Sequence, residues 1–332
     1  MLNSKLKKII CKSFIIILLL GLFSISKADL DMNNQDINIK LNPAFPSAYQ
    51  NVTVTTEIYI TDIYKAKISW FIDGVLKSEG IGNKEFNFRT KNFGETTNLS
   101  VQVTSSDIGQ LIKTFKIIPT ELDLIWETDT FTPPFYKGKA LNTHESTVKI
   151  VAIPNFINNN GVKIDPKELI YLWKKDWKIS NSDSGYGKDS FSIVGPGLFK
   201  DNMISVEVTT LDGIIKNKKS ILIRNNIPEV IFYENHPLLG ILNNRNLKYF
   251  PVSNTYSEEI KIKVYPFYFS LYNKDNIKYE WLVNNKPVYD FKEDITLRRE
   301  GEGTESYFIS FKISDIKKFQ LFTENDFQLN FK

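Results

Sequence analysis

The chain has 332 residues, a formal net charge of +4, one cysteine and two histidines. Five of its 42 basic residues lie within residues 1–28, so the rest of the chain, with 37 basic and 38 acidic residues, is close to neutral. A near-neutral chain disfavours nucleic acid or an anionic membrane surface as an electrostatic partner, because binding phosphates needs clustered Lys and Arg. With Cys11 as the only thiol, a disulfide framework is excluded, and each domain must depend on its own apolar core.

The N-terminus has the pattern of a secretory leader. Four lysines precede an apolar run over residues 14–25, and Ser26-Lys27-Ala28 offers small residues where a signal peptidase cleaves. The pattern predicts a signal peptide over residues 1–28 and a flexible polar lead-in over residues 29–36. We therefore expect a secreted, cell-surface or periplasmic protein. The alternative is an uncleaved N-terminal helix, which would be the chain's one contact with a membrane.

Three β-branched, alternating segments follow along the chain, at residues 52–59, 147–153 and 260–265. Alternation with β-branched residues favours strand over helix. Beyond the leader, no segment of comparable length shows a helical stripe, and Asp165–Leu169 is long enough for one turn at most. The composition of these segments predicts an all-β chain.

A tryptophan follows each of these segments, at Trp70, Trp173 and Trp281. Each lies in a short apolar run that ends in a turn rich in Asp, Asn or Gly, and the spacings between them are 103 and 108 residues. Solenoid repeats have periods of roughly 20–50 residues, whereas this period is the size of an ordinary domain. The spacing predicts domains in tandem.

A second alternating strand follows each tryptophan, at Leu99–Thr104, Ile204–Thr209 and Phe308–Ser314. The middles of these strands lie 31, 33 and 30 residues after the tryptophans. Closely spaced strands with polar turns and no crossover helices predict antiparallel β-sandwiches. The predicted domains are residues 37–119, 120–226 and 227–332.

This order of elements resembles the bacterial immunoglobulin-like and PKD-like modules of secreted and cell-surface proteins. The shared features are the early strand, the tryptophan strand with its Asn/Asp-Gly turn, and the later Val-x-Val-Thr strand; the Trp-Asp-Phe-Gly-Asp-Gly motif of typical PKD modules is absent. The resemblance implies that Trp70, Trp173 and Trp281 fill the space between two sheets as structural core. It also implies a module that binds, spaces or scaffolds.

Side chains suited to catalysis are few. The chain has no Gly-x-Ser-x-Gly elbow, His-Glu-x-x-His motif or phosphate-binding glycine loop, and His144 and His236 fall in unrelated loops. We predict a non-enzymatic protein with no catalytic residues and no cofactor. Two carboxylate pairs, Asp183 with Asp189 and Glu300 with Glu302, are what a glycan-cleaving protein would use.

Both junctions between predicted domains consist of a proline, an acidic residue and a new apolar strand. Such short joins, without a Gly/Ser-rich spacer, restrict bending. Calcium bound at these junctions would stiffen them further. The acidic residues at the first junction alternate with apolar ones, however, and fit the solvent-exposed face of a strand equally well. The calcium candidates are Glu121, Asp123, Glu127, Asp129, Glu229 and Glu234.

Aromatic residues mark two possible contact surfaces. One is the loop Thr130–Gly138, which carries Phe131, Phe135 and Tyr136 around two prolines and is the favoured site for contact between domains or with a partner. The other is Tyr265–Tyr272, where alternation places Phe267 and Phe269 in the core with Tyr268 and Tyr272 on the opposite face. The predicted partner-binding residues are Phe131, Phe135, Tyr136, Tyr268 and Tyr272.

These features together predict an exported, non-enzymatic protein of the cell envelope that acts as a spacer, scaffold or adhesion element. Its expected partner is a protein or glycan at the envelope. One alternative is an extracellular protein that binds or cleaves carbohydrate through the tyrosines and acids named above. Another is a subunit of an envelope assembly such as a pilus or secretion system.

Overall fold

A computed structural model describes residues 37–331 apart from 196, 198–199, 250–252, 255–257 and 302. The predicted signal peptide and lead-in lie outside these residues. The described chain is all-β, with six sheets and two single 3-10 turns, Pro166–Glu168 and Lys274–Asn276. This confirms the prediction of tandem antiparallel sandwiches. Within the described ranges, no helix combines the length and apolar character needed to cross a bilayer.

Contacts divide the described residues into two compact units. One unit runs to Ile118 but omits Phe93–Glu95, and the other combines Phe93–Glu95 with the residues from Pro119 onward. The first unit contains one sandwich and the second unit contains two.

The first sandwich packs a three-stranded sheet, ordered β1-β2-β5, against a four-stranded sheet, ordered β4-β3-β6-β7. Alternation along β2 buries Val52, Val54 and Thr56 and leaves Thr53 and Thr55 half-buried. The strands are β1 (Ile37–Asn42), β2 (Asn51–Ile58), β3 (Lys67–Ile72), β4 (Val75–Ile81), β5 (Glu85–Arg89), β6 (Thr97–Ser105) and β7 (Gly109–Ile117).

The second sandwich repeats this strand order as β8-β9-β13 and β11-β10-β14-β15, with β12 added beside β10. Its β9 buries Val148, Ile150 and Ala152 on one face, while the alternate residues are more exposed to solvent. The strands are β8 (Glu121–Thr128), β9 (Thr147–Asn155), β10 (Ile170–Lys175), β11 (Lys178–Ile179), β12 (Gly185–Tyr186), β13 (Ser190–Val194), β14 (Asn202–Thr209) and β15 (Lys216–Ile223).

The third sandwich has the same core order, β16-β19-β22 and β21-β20-β23-β24, with one short strand added to each sheet. The added strand β17 pairs with β16, and β18 pairs in parallel with β24. The strands are β16 (Glu229–His236), β17 (Gly240–Ile241), β18 (Ser253–Asn254), β19 (Glu259–Phe267), β20 (Ile277–Val283), β21 (Lys286–Val288), β22 (Asp294–Arg298), β23 (Glu305–Asp315) and β24 (Phe322–Phe331).

Trp70, Trp173 and Trp281 occupy the same place in the three sandwiches. Each is fully buried on the strand at the centre of its larger sheet. Their Cα partners on the following strand are Val101, Val206 and Phe311, the middle residues of the later alternating segments. The regular offset in the sequence therefore reflects one cross-strand pair formed three times.

The indole N–H of each tryptophan also finds an equivalent partner. Each indole N–H donates to a backbone carbonyl just before an edge strand of the smaller sheet, β5, β13 or β22. The acceptor is the residue two positions before the first residue of that strand. A buried indole N–H without an acceptor would cost about 1–3 kcal/mol, so this bond lets the ring be buried completely. The acceptors and N···O distances are Asn83 at 2.9 Å, Lys188 at 2.8 Å and Lys292 at 2.8 Å.

Candidate functional site

The connection between β8 and β9 carries side chains of the second sandwich onto the third. Its central turn is closed by Tyr136 N donating to Pro133 O at 2.9 Å, and Pro133 is buried. Consecutive prolines at 133 and 134 fix φ, so the loop holds its shape at low entropic cost. Phe131, Phe135 and Tyr136 project from it towards the third sandwich.

Backbone hydrogen bonds join the loop to the third sandwich. Phe131 N donates to Phe269 O at 2.8 Å, and Tyr268 N donates to Phe131 O at 2.7 Å. The two segments thereby form an isolated antiparallel bridge between Thr130 and Ser270. A hydroxyl adds to it, because Ser270 Oγ donates to Asp129 Oδ2 at 3.0 Å.

Seven aromatic rings surround this bridge, and we call them the aromatic joint. Neighbouring rings lie 5.4–6.2 Å apart between centroids, mostly edge to face, which is the range in which aromatic pairs attract. The members are Phe131, Phe135 and Tyr136 from the second sandwich and Tyr233, Tyr265, Phe267 and Tyr268 from the third.

Phe267 is buried, but in this joint and not in the core cluster of the third sandwich, where alternation predicts it. Along β19, Val264 faces the core, so Phe267 faces outward by alternation. Tyr268 then adopts a left-handed φ of 60°, which shifts the alternation by one residue and returns Phe269 to the core. The positive φ of Tyr268 thus allows Phe267 to lie in the joint and Phe269 to lie in the core.

Tyr136 and Tyr268 share a hydrogen bond inside the joint. The Tyr268 hydroxyl donates to the Tyr136 hydroxyl at 2.7 Å. Burial, with this hydrogen bond as a second cause, raises the pKa of Tyr268 well above its ordinary value. Burial likewise raises the pKa of Tyr233 and of Tyr265.

We expect the joint to weaken in alkali. A phenol whose pKa is higher in the folded than in the unfolded protein stabilises the fold fully below about pH 10, the unfolded pKa, and loses this contribution as pH rises above it. Melting curves from pH 8 to 11 should show a steeper loss of Tm for the wild type than for Tyr268→Phe, which cannot ionise there. Parallel losses in the two proteins would contradict this prediction.

A second contact between the two sandwiches lies at the far end of the same loop. The ring Nε2 of His144 is hydrogen bonded to Gln320 O, and Lys318 Nζ donates to Glu145 O at 2.7 Å. His144 is buried. The sequence around His144 does not indicate this role, because the partner lies 176 residues away.

The five predicted partner-binding residues therefore separate into two groups. Phe131, Phe135, Tyr136 and Tyr268 meet in the aromatic joint, where they join two parts of one chain. Tyr272 lies apart and is 86% exposed. The structure adds Tyr233, Tyr265 and Phe267 to the four residues of the joint.

Three of the six predicted calcium ligands are engaged with protein partners. Asp123 pairs with Lys219 at 2.5 Å, and Glu234 pairs with Arg245 at 3.0 Å. Asp129 accepts from Thr147 N at 2.8 Å as well as from Ser270. The remaining candidates, Glu121, Glu127 and Glu229, are exposed on strands. Within the described ranges, no three His, Cys, Asp or Glu side chains are grouped as a metal site requires.

We expect calcium to leave the stability of the protein unchanged. Calcium prefers six to eight oxygen ligands, and here lysine, arginine, hydroxyl and amide groups already bind three of the six carboxylates. Melting curves with excess calcium and with EDTA should coincide. A rise in Tm that depends on calcium would contradict this expectation and support a calcium site.

Two of the four carboxylates considered for glycan cleavage, Asp183 and Asp189, are also bound by neighbouring side chains. Asp183 accepts hydrogen bonds from Ser180 Oγ at 2.6 Å and Ser182 Oγ at 2.7 Å, which lower its pKa. Asp189 pairs with Lys167 at 2.8 Å. A general acid in a glycosidase needs a raised pKa, so the environment of Asp183 opposes that role. Glu302 lies outside the described residues.

Comparison with known proteins identifies no family. No protein-family model and no curated protein matches the chain. Similar solved structures include the Clostridium thermocellum CbhA fibronectin(III)-like modules, at TM-score 0.26 and 12% identity, covering 57% of this chain and 94% of that chain. The three N-terminal domains of the bacteriophage RB49 Highly Immunogenic Outer Capsid protein match at TM-score 0.25 and 12% identity, covering 90% and 98%. At these scores the likenesses assign neither family nor function.

Proposed function

We propose that the chain is an exported, non-enzymatic scaffold or spacer of the cell envelope, in which the second and third sandwiches move as one body. The aromatic joint is the observation that supports this proposal. Domains joined by a small polar interface usually move relative to each other. Here, bending would separate the paired aromatic rings and break the two backbone hydrogen bonds of Phe131.

Export is supported by the N-terminal sequence. The four early lysines, the apolar run and the small residues before Ala28 form a leader pattern. Protein recovered from the medium or envelope of the source cells should begin at Asp29 when its N-terminus is sequenced. Recovery of the intact N-terminus in membranes would favour the uncleaved anchor instead.

The rigidity of the pair is tested by distance measurements between spin labels. In the full chain carrying Cys11→Ser, labels at Lys218→Cys in the second sandwich and Thr296→Cys in the third occupy exposed strand positions. The proposal predicts one narrow distance distribution. Adding Phe135→Ala and Tyr136→Ala should broaden it, because the rings that hold the loop on the third sandwich are removed.

Tyr272→Ala is the matched control for this experiment, since it removes an aromatic ring that is exposed and outside the joint. Its distribution should stay as narrow as that of the parent. A broad distribution in the parent, or a narrow one in the joint variant, would show that the joint does not hold the two sandwiches together.

A further inference from the structure

The three tryptophan strands turn back through equivalent two-residue hairpins. Both turn residues have positive φ in every case, which is the geometry of a type I′ turn. This geometry strongly favours Gly or Asn at the second position. The turns are Asp73-Gly74 with φ of 49° and 80°, Asp176-Trp177 with 48° and 68°, and Asn284-Asn285 with 51° and 62°.

Trp177 is the exception among these turn residues. A bulky side chain at φ 68° is strained, because its Cβ crowds the backbone. The side chain is 73% exposed, so burial does not offset this strain. Residues with a strained backbone cluster at active sites and ligand-binding sites. The second sandwich therefore exposes an indole at this hairpin that lies outside its apolar core.

The surroundings of Trp177 indicate the chemistry of a ligand. Lys175 and Lys178 face each other across the hairpin, and among the described residues neither forms an ion pair. Asp176 is occupied, since it pairs with Lys200 at 3.4 Å and accepts from Met203 N at 3.0 Å. Both free ammonium groups line a shallow cavity of about 370 Å³ next to the turn. A cavity of this size lies within the range of small-molecule sites.

We propose that this hairpin binds an acidic sugar residue of a glycan. The indole of Trp177 would lie against the apolar face of the sugar ring, and Lys175 and Lys178 would pair with its carboxylate. Trp177 lies between Asp176 and Lys178, two residues that line this groove, and an exposed ring next to ammonium groups suits a ring-shaped anionic ligand. This proposal does not depend on the aromatic joint.

Binding of the full chain to polygalacturonate and to its methyl ester tests the proposal. The ester has the same sugar rings but no charge, so affinity electrophoresis or calorimetry should detect binding to the acid form alone, weakening as salt is added. Trp177→Asn, and separately Lys175→Ala with Lys178→Ala, should each weaken binding at least about tenfold. Equal binding of the ester, no binding of the acid, or preference for phosphatidylglycerol vesicles would overturn the proposal.

Stability separates a binding role from a structural one. Trp177→Asn installs the residue found at the same turn of the third sandwich, so its Tm should equal or exceed that of the wild type. The reciprocal change, Asn285→Trp, should lower Tm, because it introduces the same strain at a turn that lacks it. A lower Tm for Trp177→Asn would mean that the indole serves the fold, and the proposal would be wrong.

Discussion

Replacement of Trp281 with alanine is expected to destabilise the third sandwich by about 3–5 kcal/mol. Trp281 is fully buried, with its ring 4.7 Å from Phe311 and 6.3 Å from Phe232. Alanine would leave a cavity among these rings and remove the donor that satisfies Lys292 O. Urea unfolding monitored by near-UV circular dichroism measures the change, since a domain of this size is stable by only about 5–15 kcal/mol.

Trp177→Asn provides the control within the same chain, because it removes a tryptophan that is 73% exposed. Its free energy of unfolding should match or exceed the wild-type value. Trp281→Phe should cost less than Trp281→Ala, since a ring still fills most of the space and only the N–H bond is lost. If Trp281→Ala changed stability by less than about 0.5 kcal/mol, the range of ordinary surface substitutions, the role of the indole as core would be refuted.

Removal of Phe135 and Tyr136 together is expected to uncouple the unfolding of the second and third sandwiches. In the wild type, these rings contact Tyr233, Tyr265, Phe267 and Tyr268, and each aromatic pair is worth about 0.5–1.5 kcal/mol beyond its buried area. We therefore expect one calorimetric transition for the pair of sandwiches in the wild type. The variant Phe135→Ala with Tyr136→Ala should show two, with the less stable sandwich melting earlier.

Tyr272→Ala controls for the general loss of an aromatic ring and should leave the transition undivided. The interpretation also requires that both sandwiches stay folded in the joint variant at low temperature, which far-UV circular dichroism checks. A single transition at the wild-type temperature in that variant would contradict a role for the joint in coupling.

The sequence predicted the features that depend on short-range spacing. The tryptophans and the alternating strands recur at nearly constant offsets because each indole pairs across the sheet with the middle of the later strand, as Trp173 does with Val206. The single turn at Pro166–Glu168 was equally predictable, since Asp165 caps it by accepting from Lys167 N. Such features depend on a few adjacent residues.

The aromatic joint could be predicted only on one side. The loop around Phe135 stands out in the sequence because two prolines hold three aromatic residues. Its partner Tyr265 does not, because Tyr265 is simply an outward-facing residue of an ordinary strand. Alternation predicts that Phe267 lies in the core of the third sandwich, because the sequence does not show that Tyr268 adopts a positive φ. Contacts across more than 100 residues leave no local pattern.

The central claim is that the aromatic joint holds the second and third sandwiches together as one rigid unit. Native-state hydrogen exchange at two amides tests this claim most directly. The N–H groups of Phe131 and Tyr268 donate across the joint, to Phe269 O and Phe131 O. If the joint opens only when a sandwich unfolds, both amides should be protected as strongly as those of the core strand β23. Exchange at the rate of exposed loop amides would show that the joint opens on its own, and would contradict the claim.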